Sequence, residues 1–325
     1  MRSFSTSSSI ILLALGITLG AASPSAASDA WPQRPVKLIV QVGPGVGVDI
    51  AARLYAERLA ELWKQPVVVE NRPGGGGLVA AAAFAHTHDD HALLFGPAAP
   101  ISVFPYLYDN ISYNPARDLV PISWGAETFI ALTASAASQM NSLNEMKMRA
   151  RQQPHKLNYH VAPGAFPTLF GGFLRSYGLD MVQIPYVQDN LAVADLENGR
   201  LDIMLSTLTT VLPAVQAGKA RLLAVTNRVR APLAPDVLTV AEAGCPELAF
   251  QGLVGFFGTP DLPVAARDRI AADVRTIAAD PKFAARFVAI GQVAHGSTAS
   301  EFAGAIEEQR AKMAGIIEEI GRPGN

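Results

Sequence analysis

The fold is decided by residues 36–49, which read VKLIVQVGPGVGVD. Residues 36–42 are an apolar, β-branched run bounded by Gly and Pro, a pattern that predicts a buried strand. Residues 43–47 include three glycines, which let backbone N–H groups approach a ligand closely. Asp49 then opens a helical pattern that runs to Leu62. The stretch therefore predicts a strand, a glycine loop and a helix whose N-terminus attracts anions.

Strands and helices alternate on both sides of this stretch. Short apolar strands are predicted at 66–70 and 92–95, with an Ala-rich helix between them. The alternation continues through the middle of the chain to residue 225, and a last apolar strand at 252–257 precedes helices up to residue 320. Strand–helix–strand order favours parallel pairing with crossover helices. One open sheet would need about nine strands, so two smaller sheets are favoured for a chain of this length.

Composition narrows the class of protein. Half of the 325 residues are hydrophobic and only 17% are charged, which excludes an intrinsically disordered chain. The formal net charge of −2 lacks the basic surplus of nucleic-acid binders, and no nucleic acid is expected as a partner. The single cysteine, Cys245, excludes an intramolecular disulfide framework and a Cys-rich metal site. The sequence indicates a globular protein of about two domains.

The first 27 residues have the pattern of a secretory signal peptide. Arg2 precedes an apolar run at 10–19, and small residues follow. Cleavage after Ala27 or Ala30 fits the small-residue rule. The apolar run is shorter than a spanning helix needs, although an uncleaved anchor is the alternative. We therefore expect an exported protein in the periplasm.

The glycine loop has three interpretations. The Gly43-x-Gly45 pattern, with Glu70 ending the next strand, resembles a dinucleotide fingerprint. Pro44 and Val48 weaken that interpretation, because one removes an N–H and the other replaces the third glycine. A small carboxylate held by the N–H groups fits better, and a purely structural turn with Asp49 as the helix N-cap is compatible with it. The carboxylate interpretation is favoured.

The other motifs in the sequence do not indicate a catalytic, phosphate-binding or metal site. The glycines at 74–77 lack the Lys-Ser/Thr of a phosphate loop, and no nucleophile elbow or zinc-protease motif is present. The run HTHDDH at 86–91 could ligate zinc, but neighbouring ligands on one loop rarely complete a tetrahedral site, and a solvated turn is favoured. Cys245 is predicted to be a small buried residue. We expect no catalytic residue, metal or cofactor, and hence a binding protein.

The chain resembles the solute-binding proteins of tripartite tricarboxylate transporters, the Bug-type periplasmic receptors. The resemblance covers about residues 31–320. It rests on these segments: WPQRP (31–35), PGVGVDIAAR (44–53), QPVVVENRPGGGG (65–77), PYLY (105–108), IPY (184–186), GRLDIM (199–204), AGKARLLAVT (217–226) and EAG (242–244).

The resemblance implies an α/β fold of two lobes, each a mainly parallel sheet flanked by helices, with the ligand in the cleft between them. The first lobe is expected to hold residues 28–125 and 250–325, and the second residues 126–249. Family ligands are mostly organic anions, and the closed form of the receptor is read by a membrane permease pair. A sensor kinase is an alternative partner, and a monomer is expected.

The resemblance also implies a set of ligand-binding positions, several of which depart from the family pattern. The expected set is Gly45, Val46, Gly47, Val48, Asp49, Pro97, Ala98, Gly164, Ala165, Tyr186, Ser206 and Thr207. Residues 45–48 are expected to offer N–H groups, and Asp49 to cap the helix and hold waters. Because Val48, Pro97 and Ala165 stand where polar donors are usual, a ligand more apolar than citrate is expected, such as an aromatic monocarboxylate or a medium-chain diacid. Mutation of Ser206 to alanine is expected to weaken binding by about 1 kcal/mol.

Overall fold

The computed structural model describes Met1 and residues 31–321. The predicted signal peptide and its cleavage sites lie almost entirely outside the described residues. Within them, no helix has the length and apolar character needed to cross a membrane.

Strands and helices follow the predicted alternation. The strands are β1 Val36–Val40, β2 Val67–Asn71, β3 Ala92–Pro97, β4 Val120–Thr128, β5 Ile130–Ser135, β6 Asn158–Val161, β7 Val182–Gln183, β8 Ile203–Thr207, β9 Ala220–Val225, β10 Gly252–Gly258 and β11 Gln292–Ala294. The helices are α1 Gly47–Trp63, α2 Leu78–Ala85, α3 Ala99–Ser102, α4 Phe104–Leu107, α5 Pro115–Asp118, α6 Leu143–Gln152, α7 Phe166–Ser176, α8 Asp189–Glu197, α9 Leu208–Gln216, α10 Val264–Ala278, α11 Pro281–Ala289 and α12 Ala299–Ile320.

Two sheets form the two lobes, so the predicted two-lobe α/β fold is confirmed. The first has the strand order β11-β4-β10-β3-β1-β2, and the second β7-β6-β8-β5-β9. The boundaries predicted for the lobes stay a prediction, but β4 keeps to the first sheet as far as Thr128.

The expectation that each sheet is mainly parallel is wrong, because both sheets are mixed. β1 pairs in parallel with β2 and β3, and β6 with β7 and β8. The pairs β10–β3, β10–β4, β11–β4, β5–β8 and β5–β9 are antiparallel. β4 and β5 carry the chain from the first sheet into the second, and β9 and β10 carry it back. Strands that cross the same boundary in opposite directions pair antiparallel and need no crossover helix.

The long helix α12 packs against both lobes. Phe302 and Ile306 lie in a core cluster with residues of the first sheet, whereas Met313 lies in the core cluster of the second. Further along, Ile316 packs so closely on α7 that a Cβ on Gly172 would lie 2.7 Å from its Cγ2. The helix thus ties the lobes together along one side of the crossing strands.

Candidate functional site: the cleft between the lobes

A cavity of about 570 Å³ lies between the two sheets. That volume is in the ordinary range for a small-molecule site. Both lobes line it, with these residues: Val42, Gly45, Val46, Gly47, Val48, Ile50, Gly76, Pro97, Ala98, Ala99, Thr128, Ile130, Pro163, Gly164, Ala165, Phe166, Thr207, Thr209, Thr210, Phe250, Gln251, Gly252, Leu253, Val254, Ile290, Gln292 and Gln309. Most of the predicted ligand-binding positions are therefore brought together here.

The N-terminus of α1 opens into this cavity. Val46 precedes the helix in an extended conformation, with φ −84° and ψ 160°, and its side chain cannot cap the helix. The first helical hydrogen bond runs from the Ile50 N–H to the Val46 carbonyl oxygen. The N–H groups of Gly47, Val48 and Asp49 precede it and have no acceptor within the helix. These donors, together with the helix dipole, suit a carboxylate.

Asp49 stabilises the glycine loop through hydrogen bonds of its carboxylate. Its Oδ2 accepts hydrogen bonds from the Gly45 N–H at 2.8 Å and from Arg53 Nε at 3.0 Å, and its Oδ1 accepts one from Asn71 Nδ2 at 2.8 Å. Burial by itself would raise the pKa of this carboxyl, but these hydrogen bonds bring the pKa below its ordinary value. The carboxylate therefore stays ionised and holds the loop in shape.

Three expectations for this loop are corrected. Asp49 is not the helix N-cap, because Val46 takes that position and Asp49 lies in the first turn. It also does not line the cavity. The Gly45 N–H is bound by Asp49 and is not free for a ligand. Gly45 contributes its backbone shape instead, since its φ of +84° suits glycine.

Two helices of the second lobe also begin at the cavity. α7 follows Ala165 and α9 follows Thr207, and neither N-cap side chain accepts a hydrogen bond from its helix. Thr207 Oγ1 lies 3.1 Å from Thr209 Oγ1 and 2.8 Å from Thr210 Oγ1. The predicted residues Gly164, Ala165 and Thr207 are in place, and two threonine hydroxyls join them.

Gln292 and Thr128 are site residues that the sequence analysis missed. Gln292 is 2% exposed, and its Nε2 donates to Thr128 Oγ1 at 3.1 Å. Its Oε1 has no hydrogen-bond partner. A Cβ on Gly47 would lie 3.3 Å from Gln292 Nε2, so the amide lies beside the start of α1. A glutamine on a three-residue strand late in the chain gives no local signal of this position.

Two predicted residues lie elsewhere. Ser206 is fully buried and donates to Asp189 Oδ2 at 2.8 Å, while the other oxygen of Asp189 lies 3.2 Å from His160 Nε2. Tyr186 donates to Asp195 Oδ2 at 2.7 Å. Neither lines the cavity. Side chains alternate between the two faces of a strand, so Ser206 turns away from the face that its neighbour Thr207 presents.

Among the described residues that line the cavity, none has a charged side chain. Glu127 is a buried acid next to the lining residue Thr128. It accepts a hydrogen bond from Asn227 Nδ2 at 2.8 Å, and burial raises its pKa above the ordinary value. Among the described residues, the cavity lining therefore offers helix N-termini, hydroxyl groups and amide groups, and no charged side chain.

The histidine-rich turn does not line the cavity, and its charged groups pair with Arg34, with Asp261 and with each other. Asp89, Asp90 and His91 have ligand atoms within 4.8 Å. Arg34 bridges the two carboxylates at 2.6 and 2.9 Å, and His91 Nδ1 lies 2.8 Å from Asp90. Cys245 is fully buried, with Lys147 Nζ 3.1 Å from its sulfur.

Comparison with known proteins places these features in a family. A profile described as the tripartite tricarboxylate transporter family receptor matches residues 51–322. The protein BugT of Bordetella pertussis is 30% identical over 322 residues, which cover 96% of this chain and 97% of BugT. A UPF0065 protein of Bordetella bronchiseptica is 29% identical over 95% of this chain and 90% of its own length.

Solved structures have the same fold. An R. palustris protein solved with adipate superposes with a TM-score of 0.80 at 26% identity, covering 90% of this chain and 98% of that one. The periplasmic binding protein BugD gives a TM-score of 0.75 at 25% identity, covering 90% and 99%. The predicted resemblance is confirmed: the chain belongs to the family of tripartite tricarboxylate transporter receptors.

Proposed function

We propose that this protein is an exported periplasmic receptor that captures a small organic carboxylate between its lobes. An aromatic acid or a dicarboxylate is the favoured ligand. The receptor then presents its closed form to the permease pair of a tripartite uptake system. It acts as a monomer and performs no chemistry on the ligand.

The convergence of three uncapped helix N-termini carries this proposal. α1, α7 and α9 all begin at the cavity, and none has a side chain that occupies its first N–H groups. Each such end carries roughly half a positive charge. The first N–H groups of α1 have no acceptor within the helix, whereas the Leu208 N–H of α9 donates to the Phe129 carbonyl oxygen at 2.8 Å and Pro167 in the first turn of α7 has no N–H. An anion is the ligand that satisfies them, and a carboxylate matches the paired N–H geometry. The similar R. palustris protein solved with adipate supports this ligand class.

The remaining lining favours an apolar body on that carboxylate. Phe166, Phe250, Leu253 and Ile290 face the same space. The dinucleotide alternative has less support, because Glu70 accepts a hydrogen bond from Arg72 Nε at 2.7 Å and so is already engaged. In a dinucleotide site that acid would bind the ribose.

Native mass spectrometry of the protein purified from the periplasm tests the proposal. The native mass is expected to exceed the denatured mass by that of a small organic acid, which is then identified. If the site is empty, a thermal-shift panel of citrate, aromatic acids and aliphatic diacids replaces this step, and at least one carboxylate is expected to stabilise the protein. Failure of every carboxylate, or a bound nicotinamide, would contradict the proposal.

A further inference from the structure

The polar side chains that line the cavity differ in whether their polar atoms already have hydrogen-bond partners in the protein. Its polar side chains are Thr128, Thr207, Thr209, Thr210, Gln251, Gln292 and Gln309. Gln309 is occupied, because its Oε1 accepts from Ser102 Oγ at 2.6 Å and its Nε2 donates to the Gln251 carbonyl oxygen at 2.9 Å. Gln292 retains an amide atom without a partner. Among the described side chains that line the cavity, Gln292 is the one with a buried polar atom that has no hydrogen-bond partner.

Gln292 stands where the two lobes approach each other. It is next to the N-terminus of α1, and the preceding Gly291 touches the second lobe: a Cβ on Gly291 would lie 2.3 Å from Thr209 Cγ2. Thr128, Gln292 and the threonines that begin α9 thus line the same cavity as Gly47 and Val48, whose N–H groups have no acceptor within the helix. Buried polar atoms are almost always paired in native proteins, so an unpaired amide atom here indicates a ligand group. Either orientation of the amide leaves one of its polar atoms unpaired.

A second carboxylate on the ligand would find no other helix end like that of α1, because the Leu208 N–H of α9 donates to the Phe129 carbonyl oxygen and α7 has Pro167 in its first turn. The lining offers no cation, and Gln309 is already bonded on both amide atoms. The ammonium group of Lys312 lies in a neighbouring cavity of about 250 Å³ that shares Gln251 and Gln309 with the cleft. It donates to the Ala249 carbonyl oxygen at 2.5 Å. A buried carboxylate without a cation or donors is strongly disfavoured.

We infer that the cleft selects ligands with one carboxylate and an uncharged, apolar body, and that Gln292 is a specificity-determining residue that contacts the carboxylate end. This inference rests on the proposed function and narrows its ligand class. The head group accepts hydrogen bonds from the N–H groups of α1, from the α9 threonine hydroxyls and from Gln292 Nε2. Nε2 takes the place of Oε1 when the amide is flipped, and the Thr128 hydroxyl then donates to Oε1. The apolar body takes the surface of Phe166, Phe250 and Leu253.

Isothermal titration of the purified, unliganded protein with matched acids tests the ligand class. The pairs are hexanoate against adipate and benzoate against terephthalate, which differ by one carboxylate at similar length. The monoacid of at least one pair is expected to bind at least tenfold more tightly than its diacid. This titration uses the unmodified protein, so its result does not depend on whether a mutant folds.

Gln292→Met tests the residue, since it keeps the chain length and removes the amide. The variant is expected to bind the preferred monoacid at least tenfold more weakly, and Gln292→Glu more weakly still through charge repulsion. Gln152→Met, at an exposed position on α6, is the matched control and is expected to bind as the unmodified protein does. Thermal unfolding of each variant shows whether it folds.

The outcomes distinguish failure of the monocarboxylate inference from failure of the proposed function. Tighter binding of the diacids would overturn the monocarboxylate inference and leave a carboxylate receptor standing. Unchanged affinity in a folded Gln292→Met protein would remove Gln292 from the site. Failure of all four acids and of the wider carboxylate panel would overturn the proposed function itself.

Discussion

The helices α1, α7 and α9 begin at the cleft without a side-chain cap, whereas several helices that begin elsewhere have one. α6, α11 and α12 begin outside the cavity, and Ser142, Asp280 and Thr298 cap them through side-chain oxygens. α12 has a complete capping box with Glu301. α1, α7 and α9 begin at the cavity, and their N-caps are Val46, Ala165 and Thr207, none of which caps with its side chain.

The difference shows where the protein leaves donors free. A side-chain cap satisfies an N–H group that a helix cannot satisfy itself and adds about 1 kcal/mol of stability. α8 and α10 also lack such caps, but they begin outside the cavity. At α1 the uncapped N–H groups lie beside a cavity that both lobes line, so they are left for a ligand at a cost in stability.

The strongest test removes one of these donors. Gly47→Pro deletes the N–H at the first helical position, where proline is best tolerated, and the extended Val46 before it is compatible with proline. The matched control Gly47→Ala adds a Cβ but keeps the N–H. Relative to the alanine variant, the proline variant is expected to lose about 1.5–3 kcal/mol of carboxylate binding, the worth of a hydrogen bond to a charged group. Equal affinities by titration calorimetry would mean that this N–H does not bind the ligand.

Replacement of Asp49, whose carboxylate holds the glycine loop, is expected to give the second-largest effect. Asp49→Asn should lower the free energy of unfolding by about 1.5 kcal/mol at pH 7, because it removes charge-assisted hydrogen bonds. The pKa of Asp49 is lowered in the folded protein, so this stabilisation is present above the usual aspartate pKa of about 4 and is lost as pH falls through the folded value.

Urea denaturation at pH 7 and at pH 3.5 checks this prediction. The difference in the free energy of unfolding between the unmodified protein and the variant should be smaller at pH 3.5 than at pH 7. Asp268→Asn, at an exposed position on α10, is the control and should leave stability unchanged. A difference that stays constant with pH would show that the ionised carboxylate is not the source of the effect.

For the capped helix α12, removal of the cap should lower stability and leave ligand affinity unchanged. Thr298→Ala removes the cap that accepts the Glu301 N–H at 3.2 Å and should cost about 1 kcal/mol of stability. Ligand affinity should not change, because α12 begins outside the cavity. A loss of affinity without a loss of stability would break the distinction between capped and open helix ends.

The smallest expected effect concerns Ser206. The structure directs its hydroxyl to Asp189, so the expectation of weaker binding is replaced: Ser206→Ala should leave carboxylate affinity within about twofold, at a stability cost of about 1 kcal/mol or less. Thr209→Val, which removes a hydroxyl that lines the cavity, should weaken binding. A tenfold loss in the Ser206 variant would place this serine in the site.

Local patterns in the sequence predicted much of the fold. The first strand, its glycine loop and the start of α1 follow from residues 36–49, and α1 begins two residues before the predicted Asp49. β4 was missed, because Pro121 and Gly125 interrupt its apolar pattern. Strand β10 on one side and β11 on the other hold it in the sheet. Pairing with distant strands overrides weak local propensity.

The sequence by itself determined the alternation of strands and helices and the glycine loop at the first helix, because these depend on local periodicity. Its short motifs identified the family, and the two-lobe architecture is what that resemblance implied. Only the tertiary structure decided which donors stay free. It tied the Gly45 N–H to Asp49, turned Ser206 away from the cleft and brought Gln292 beside Gly47. Hydrogen-bond partners and strand faces are set by packing between segments far apart in the chain, and no local pattern encodes them.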